Sequence, residues 1–166
     1  SYGDLYQWGR GTDGHEKRTS GTTATNATTA VPNDGNSWDG LFITEGSLPF
    51  DWLTPQDDNL WQGFSGTNNP CPTGYRLPTE PEWEAERASW GSNNAAGAFA
   101  SPLKLPMAGY RFGSNGSLYD VGSYGYYWSS TAEQGTRSLF LHFFSGNAGT
   151  SDEVRVQGAS VRCIKD

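Results

Sequence analysis

The second half of the chain is built from short apolar runs separated by turns, and this pattern constrains the fold more than any other feature. Runs of the strand type are followed by turns rich in Gly, Ser and Asn. The turns lie at 113–117, 133–136 and 145–152. Short strands are therefore predicted at 103–106, 109–112, 126–129, 138–144, 154–156 and 160–164.

The first half supplies the helices. Thr79-Glu80-Pro81-Glu82 matches a capping box, which predicts a helix that ends at the Gly/Ser/Asn run 91–94. A shorter helix is predicted at 55–61, where a Thr and a Pro occupy the N-cap and first helical positions. The Thr-rich segment 19–30 has no helical period and is predicted to be a loop. Helices followed by many strands predict one α+β domain over residues 1–166, with a mainly antiparallel sheet and one or two helices.

Composition limits the partners. Only 34% of the residues are hydrophobic but 14% are aromatic, so large rings must supply much of the core. The formal net charge of -7 argues against nucleic acid as the main partner, because phosphate binding needs an excess of Lys and Arg. No run of about 18 apolar residues is present, so no membrane span is predicted.

The two cysteines, Cys71 and Cys163, leave two alternatives open. They are either two unrelated buried thiols or one disulfide that closes a loop of about 90 residues. Such a bridge would stabilise the fold by about 4–5 kcal/mol on the chain-entropy model. Neither their number nor their spacing matches a structural zinc site.

The sequence offers little catalytic chemistry. It contains two histidines, and it lacks the G-x-S-x-G, H-E-x-x-H, Walker and dinucleotide-binding motifs. The acidic residues of the predicted helix are explained by capping and by the helix dipole. No catalytic residue, metal ligand or cofactor is therefore predicted.

The stretch 138–144, Ser-Leu-Phe-Leu-His-Phe-Phe, raises a specific question. Strand geometry places Leu139, Leu141 and Phe143 on one face, and Phe140, His142 and Phe144 on the other. Both faces are apolar. Either a second core layer covers the Phe140 face, or that face is exposed for a partner.

The segment 117–159 favours the second alternative. It is rich in Tyr, Ser, Gly, Asn, Asp, Phe and His on short strands and turns. Antibody-like binding loops have a similar composition, because rings give contact area at low entropic cost and small polar residues give adaptable hydrogen bonds.

Several separated motifs resemble one known family. The run 69–83, NPCPTGYRLPTEPEW, is similar to the CPxGxRLPTxxEW signature of the Fibrobacter-type major paralogous domain. The runs 125–130, GYYWSS, and 158–163, GASVRC, resemble two further elements of that family in the same order. The resemblance implies a C-type lectin fold of the formylglycine-generating-enzyme-like branch.

The same scaffold is used by variable proteins of diversity-generating retroelements. In these proteins, copying with errors at adenines rewrites Asn codons of the type AAY, where Y is C or T, near the C-terminus. The resemblance implies a non-enzymatic receptor or adhesion protein, displayed extracellularly on a virion or cell surface. Its partner would be a protein on a host or neighbouring cell. Glu133, Gln134, Glu153 and Gln157 do not fit AAY rewriting. The ligand-binding residues implied are Tyr119, Tyr124, Tyr126, Ser138, Phe140, His142, Phe144, Asn147, Asp152, Val154, Val156 and Ala159.

The resemblance also implies a Cys71–Cys163 bridge between the start of the helix and the last strand. Two alternatives keep the fold and change the function: an invariant adhesion domain that binds glycans, or an oxidase of the formylglycine-generating type. The oxidase needs a copper-binding cysteine pair that does not map onto these two positions. The sequence also lacks the Glu-Pro-Asn and Trp-Asn-Asp motifs of calcium-dependent sugar binding.

Overall fold

The computed structural model describes residues 1–133 and 135–166, and within them the α+β class with antiparallel sheets and two helices is confirmed. No helix in these two ranges is long and apolar enough to cross a membrane. The elements, in chain order, are β1 Tyr6–Gln7, β2 Thr22–Thr23, β3 Phe42–Ile43, α1 Glu80–Ala88, α2 Ala95–Ala100, β4 Tyr110–Arg111, β5 Leu118–Tyr119, β6 Tyr124–Ala132, β7 Arg137–Phe144, β8 Ala148–Val154 and β9 Gly158–Ala159.

The long strands form an antiparallel meander, β6-β7-β8. Trp128 lies opposite Phe140, and Phe140 lies opposite Ser151. A second sheet has the order β1-β9-β4-β5, with antiparallel pairing throughout. A bridge between Tyr127 and Ser160 joins the two sheets, and the pairing of β1 with β9 fixes the start of the chain against its end. β2 and β3 form a separate parallel pair.

Helix α1 begins where the capping box predicts. The Glu82 carboxylate accepts the backbone N–H of Thr79 at 2.7 Å, and both halves of the box are present. Arg76 donates two hydrogen bonds to the same carboxylate, one to each oxygen, both at 2.8 Å. The Thr150 hydroxyl lies 2.9 Å from a Glu80 carboxylate oxygen and 2.7 Å from one of Glu84, and it can donate its single hydrogen to either, which docks the helix on β8. The cap therefore fixes both the start of the helix and its position on the meander.

The core is assembled from tryptophan, as the composition requires. Five indoles are at most 1% exposed, and each N–H donates to a backbone carbonyl. The polar end of each ring is thus satisfied while its apolar body is buried. Several of these bonds join distant segments, so the rings fix the topology as well as filling space. The donor–acceptor pairs are Trp8–Ser129, Trp52–Trp8, Trp61–Arg10, Trp83–Trp128 and Trp128–Tyr6.

Buried guanidinium groups fasten the loops to this core. Arg155, 1% exposed, lies over the Trp8 ring at 4.7 Å and donates to Asp58 at 2.5 Å. Arg111 lies over Phe42 at 4.3 Å and donates to carbonyls of the 15–20 segment and to Gly116. Each group combines ring contact with several hydrogen bonds, which offsets part of the cost of burying a charge.

Cys71 and Cys163 form a disulfide, with Cα atoms 5.7 Å apart. The bridge spans 92 residues of sequence. A backbone bridge between Arg76 and Ile164 lies beside it. The segment before α1 is therefore held to the end of the chain by a covalent and a hydrogen-bonded link.

Several local predictions were wrong. Residues 55–61 form no helix, because the Asp57 side chain accepts the N–H of Asn59 and closes a local turn. The run 103–106 is not a strand. Most of the predicted turn at 145–152 belongs to β8, whose pairing with β7 overrides the weak strand preference of Gly, Ser and Asp. Helix α2 was missed; the Asn94 side chain caps it by accepting two backbone N–H groups. Gln134, in the predicted 133–136 turn, lies outside the described residues.

Candidate ligand-binding face

One side of the meander carries a continuous group of rings, which we call the aromatic face. On this side Tyr124 lies opposite Phe144, and Tyr126 lies opposite His142. The neighbouring pair β4–β5 extends the group, with Tyr110 opposite Tyr119. Period-two alternation puts these side chains on one side. The members are Tyr110, Phe112, Tyr119, Tyr124, Tyr126, Phe140, His142 and Phe144.

The rings contact one another in an unbroken chain. Tyr124 stacks on Phe144 at 4.9 Å and on Tyr126 at 5.8 Å. Tyr126 meets Tyr110 edge to face at 5.2 Å, and Tyr110 stacks on Tyr119 at 5.8 Å. These separations suit aromatic pairing, so each ring limits the rotamers of its neighbours. The face is preorganised by its own contacts.

The opposite side of the meander packs on the helices. Leu141 and Phe143 are 0% exposed, and Trp90 meets the Phe143 ring at 5.8 Å. At position 125 a side chain would collide with the Phe143 ring, so only Gly fits there. The prediction that Leu141 and Phe143 face the core is confirmed. The helices therefore cover one side of the meander and leave the aromatic face on the other.

The 138–144 stretch raises the question of whether the Phe140 side of β7 is covered or exposed, and the answer differs along the strand. Phe140 is 8% exposed, whereas His142 and Phe144 are half-buried. Phe140 lies on the same side as His142 and Phe144, but the expectation that its ring is exposed was wrong. The reason is tertiary: Trp128 packs against it at 6.0 Å and Tyr126 at 5.8 Å, and both rings come from β6.

A concave site opens where the aromatic face meets the end of the second sheet. Its volume is about 110 Å³, and we call it the ring pocket. Trp128, Phe140 and Ala159 are all under 9% exposed and form its inner part. Tyr110 and Tyr126 are half-buried beside them. The complete lining is Tyr110, Tyr126, Trp128, Phe140, Glu153, Gln157 and Ala159.

The predicted site residues divide into groups. Tyr119, Tyr124, Tyr126, His142 and Phe144 come together on the accessible part of the aromatic face. Phe140 and Ala159 line the ring pocket below it.

The other five predicted residues are not on the accessible part of the face. Ser138 is 0% exposed and accepts from buried Arg155 at 3.1 Å, so it is structural. Val156 is 1% exposed, because it packs in the loop before β9. Asn147 is exposed but accepts from Asn93, on the side of the helices. Asp152 and Val154, both on β8, are half-buried, and Asp152 Oδ2 lies 3.7 Å from Nε of Arg137 on β7.

Sequence reasoning missed several residues of the site. Tyr110 and Phe112 belong to the aromatic face, and their alternation in the run Tyr-Arg-Phe was the available signal. Glu153 and Gln157 line the ring pocket. Their residue types do not fit AAY rewriting, and nothing in the local sequence marks them as pocket residues.

Burial and neighbouring charges shift the pKa values of the titratable rings on the face. Burial, followed by the charge of Asp120, raises the pKa of Tyr126, whose hydroxyl lies 3.3 Å from the Asp120 carboxylate. Burial, together with Asp120 and Glu153, also raises the pKa of Tyr110. Burial, and then the charge of Arg87, lowers the pKa of His142. At neutral pH the tyrosines are therefore protonated and His142 is uncharged.

A second titratable cluster lies away from the face. Asp13, His15 and Glu16 bring metal-ligand atoms within 4.8 Å of one another. His15 Nδ1 donates to Asp13 at 2.7 Å, and its Nε2 accepts the Gln7 N–H at 3.2 Å, so both nitrogens are occupied. Arg10 donates to the same Asp13 carboxylate at 2.8 Å. The cluster is a structural hydrogen-bond network, and its existing bonds compete with any metal.

Comparison with known proteins adds one family. Residues 86–164, just under half of the chain, are similar to a family described as a domain of unknown function (DUF8237). The matched segment runs from within α1 past β9 and includes every residue of the aromatic face and the ring pocket. No curated protein and no solved structure matches the chain. These comparisons assign no activity.

Proposed function

We propose that this protein is a non-enzymatic binding module of the C-type lectin type, whose aromatic face is a diversifiable contact surface for a protein partner. The single observation that carries this proposal is the unbroken set of rings, most of them partly exposed, on the antiparallel meander and the neighbouring β4–β5 pair. The motifs at 69–83, 125–130 and 158–163 support the fold assignment, since they resemble those of the formylglycine-generating-enzyme-like branch.

Binding by such a face needs no catalytic group. Large rings supply most of the energy at protein interfaces, and Tyr is enriched among the residues whose truncation costs most. The rings already contact one another, so binding immobilises few new rotamers. Tyr119, 43% exposed, and the half-buried Tyr124 and Phe144 offer area that the chain itself does not cover.

The division between inward and outward residues suits diversification. Tyr, His, Phe, Asp and Ser can arise from rewritten AAY codons, and these types dominate the outward positions of β6 to β8. Trp128, which AAY rewriting cannot produce, packs in the core at 1% exposure. Outward side chains can therefore change while the frame that holds them stays intact.

An extracellular position on a virion or cell surface completes the proposal. The Cys71–Cys163 disulfide is consistent with an oxidising compartment, where such bonds persist. A surface position would also place the aromatic face within reach of a protein on a host or neighbouring cell.

The decisive experiment is to sequence this gene and its flanking DNA from many individuals of one population. We expect a reverse transcriptase gene and an adenine-rich template repeat nearby. We also expect amino-acid differences at Tyr119, Tyr124, His142 and Phe144.

Leu141 and Phe143, which lie on the side of β7 that packs on the helices, serve as the internal control and should be invariant. Differences spread equally over outward and inward positions, or no template repeat at all, would contradict the diversification. A glycan array with clear hits that depend on the face would instead support an invariant sugar-binding domain.

A further inference from the structure

We infer that the ring pocket binds the cationic head of a lysine or arginine side chain of the partner. This inference rests on the proposed function, because it names the chemistry that one part of the aromatic face recognises. Three features carry it: the angles between the rings, the charges around the pocket and its size.

The rings of the pocket are steeply inclined to one another. Tyr110 and Tyr126 meet at 79° with centroids 5.2 Å apart, and Trp128 and Phe140 meet at 76° at 6.0 Å. These four rings bound the pocket from different directions. A cation within about 6 Å of ring centroids is attracted to their faces, most strongly when water is excluded.

The charges favour a cation. Glu153 lines the pocket, and Asp120 lies beside it through its contact with the Tyr126 hydroxyl. Within residues 1–133 and 135–166, the lining contains no basic side chain. The nearest ion-pair partner of Glu153 is the exposed Arg137, whose Nη1 is 3.9 Å from Oε1. That contact is too long for a hydrogen bond and leaves the carboxylate available to a further cation.

The size of the pocket limits the occupant. Its volume of about 110 Å³ is below the roughly 150 Å³ of an apolar cavity that takes one benzene molecule. An ammonium or guanidinium with its adjoining methylene groups fits, while the rest of the side chain extends through the opening. A sugar ring or an indole is too large. A carboxylate of the same size would be repelled by Glu153 and by the ring faces.

The test uses small probes and the whole protein in a ¹H–¹⁵N NMR titration. The indole N–H of Trp128 and the amide of Ala159 report on the pocket. n-Butylammonium carries the lysine head, and n-butanol is its neutral counterpart. We expect n-butylammonium to shift both signals and to bind about 5- to 30-fold more tightly than n-butanol. Equal affinities would show that the pocket selects apolar shape alone and would overturn the inference.

Two variants separate the charge from the rings. Glu153→Gln keeps the acceptor for the Val154 N–H and removes the charge, so n-butylammonium binding should weaken about fivefold while n-butanol binding is unchanged. Tyr110→Leu removes one ring and should weaken n-butylammonium binding by a similar factor. Glu133→Gln, on an exposed residue after β6, removes the same charge elsewhere and should have no effect. Unchanged binding in Glu153→Gln or Tyr110→Leu would overturn the inference.

A last comparison identifies the source of the cation. Nα-acetyl-lysine N-methylamide represents a lysine within a protein, and choline represents a free quaternary ammonium. We expect the lysine derivative to bind at least as tightly as choline; tenfold tighter binding of choline would exclude a protein side chain as the occupant. These titrations do not depend on codon diversity. If these titrations fail while the amino-acid differences in the population are confined to the aromatic face, the pocket chemistry is refuted and the proposed function stands.

Discussion

Truncation of Phe140 and of Phe144 should have different costs, although both rings lie on the same side of β7. Phe140 is 8% exposed and packs on Trp128 and Tyr126, so Phe140→Ala removes buried contacts and enlarges a cavity. Such changes cost about 3–5 kcal/mol of the free energy of unfolding. Because Phe140 borders the ring pocket, part of its surface is already unpacked. We expect about 3 kcal/mol.

Phe144 is half-buried, and its main ring contact is the stack on Tyr124 at 4.9 Å. Aromatic pairs of this kind contribute about 0.5–1.5 kcal/mol beyond area burial. Much of the ring already faces solvent, so we expect Phe144→Ala to cost about 1 kcal/mol. The two variants should therefore differ by about 2 kcal/mol.

Urea denaturation measures this difference, with the disulfide intact and with circular dichroism and tryptophan fluorescence followed together. A urea slope of about 1–3 kcal/mol/M converts 3 kcal/mol into a midpoint shift of about 1–3 M, and 1 kcal/mol into about a third of that. Unchanged slopes would show that the same cooperative unit unfolds. Equal costs for the two variants, or a cost for Phe140→Ala below about 1 kcal/mol, would refute the assignment of Phe140 to the core.

Three further predictions concern stability. Replacing Cys71 and Cys163 by Ala should lower the free energy of unfolding by up to about 4–5 kcal/mol, measured against the oxidised protein in urea; a loss below about 1 kcal/mol would contradict the loop-closure argument. Although burial alone would raise the Asp13 pKa, bonds from its His15 and Arg10 neighbours lower it from 3.8 to about 2. Because the folded pKa lies below the unfolded one, ionised Asp13 stabilises the folded state fully above about pH 4, and this stabilisation is lost as pH falls towards 2. Asp13→Asn should therefore flatten that part of a curve of unfolding free energy against pH. An unchanged slope would refute the assignment. Gly125→Ala should cost about 1–3 kcal/mol, since its Cβ collides with the Phe143 ring, and a neutral effect in thermal unfolding would show that the ring can move.

The elements with strong local signals could be predicted. The capping box placed the start of α1, and the alternation in 138–144 gave both the existence of β7 and its two sides. The turn-rich sequence 145–152 was misjudged, because β8 is held by pairing with β7 and not by its own residues. α2 was missed because its small residues carry no apolar period and only Asn94 marks its start.

The candidate site was predictable in part for the same reason. His142 and Phe144 follow from strand alternation within 138–144, whereas Tyr119, Tyr124 and Tyr126 follow only from the family resemblance. The ring pocket follows from neither, because it needs Tyr110 from β4 and Ala159 from β9 beside the rings of the meander. Long-range pairing decides which strands are neighbours, and no periodicity within one strand encodes it.

The sequence by itself determined the class of the fold, the two faces of β7 and the need for rings to supply the core. Those properties depend on the backbone periods of helix and strand and on residue type, which are local. Only the tertiary structure decided that Phe140 is sealed by rings from β6 while Phe144 stays accessible. Burial depends on which distant residues arrive at the same place, and two phenylalanines four positions apart on one face are indistinguishable until their neighbours are known.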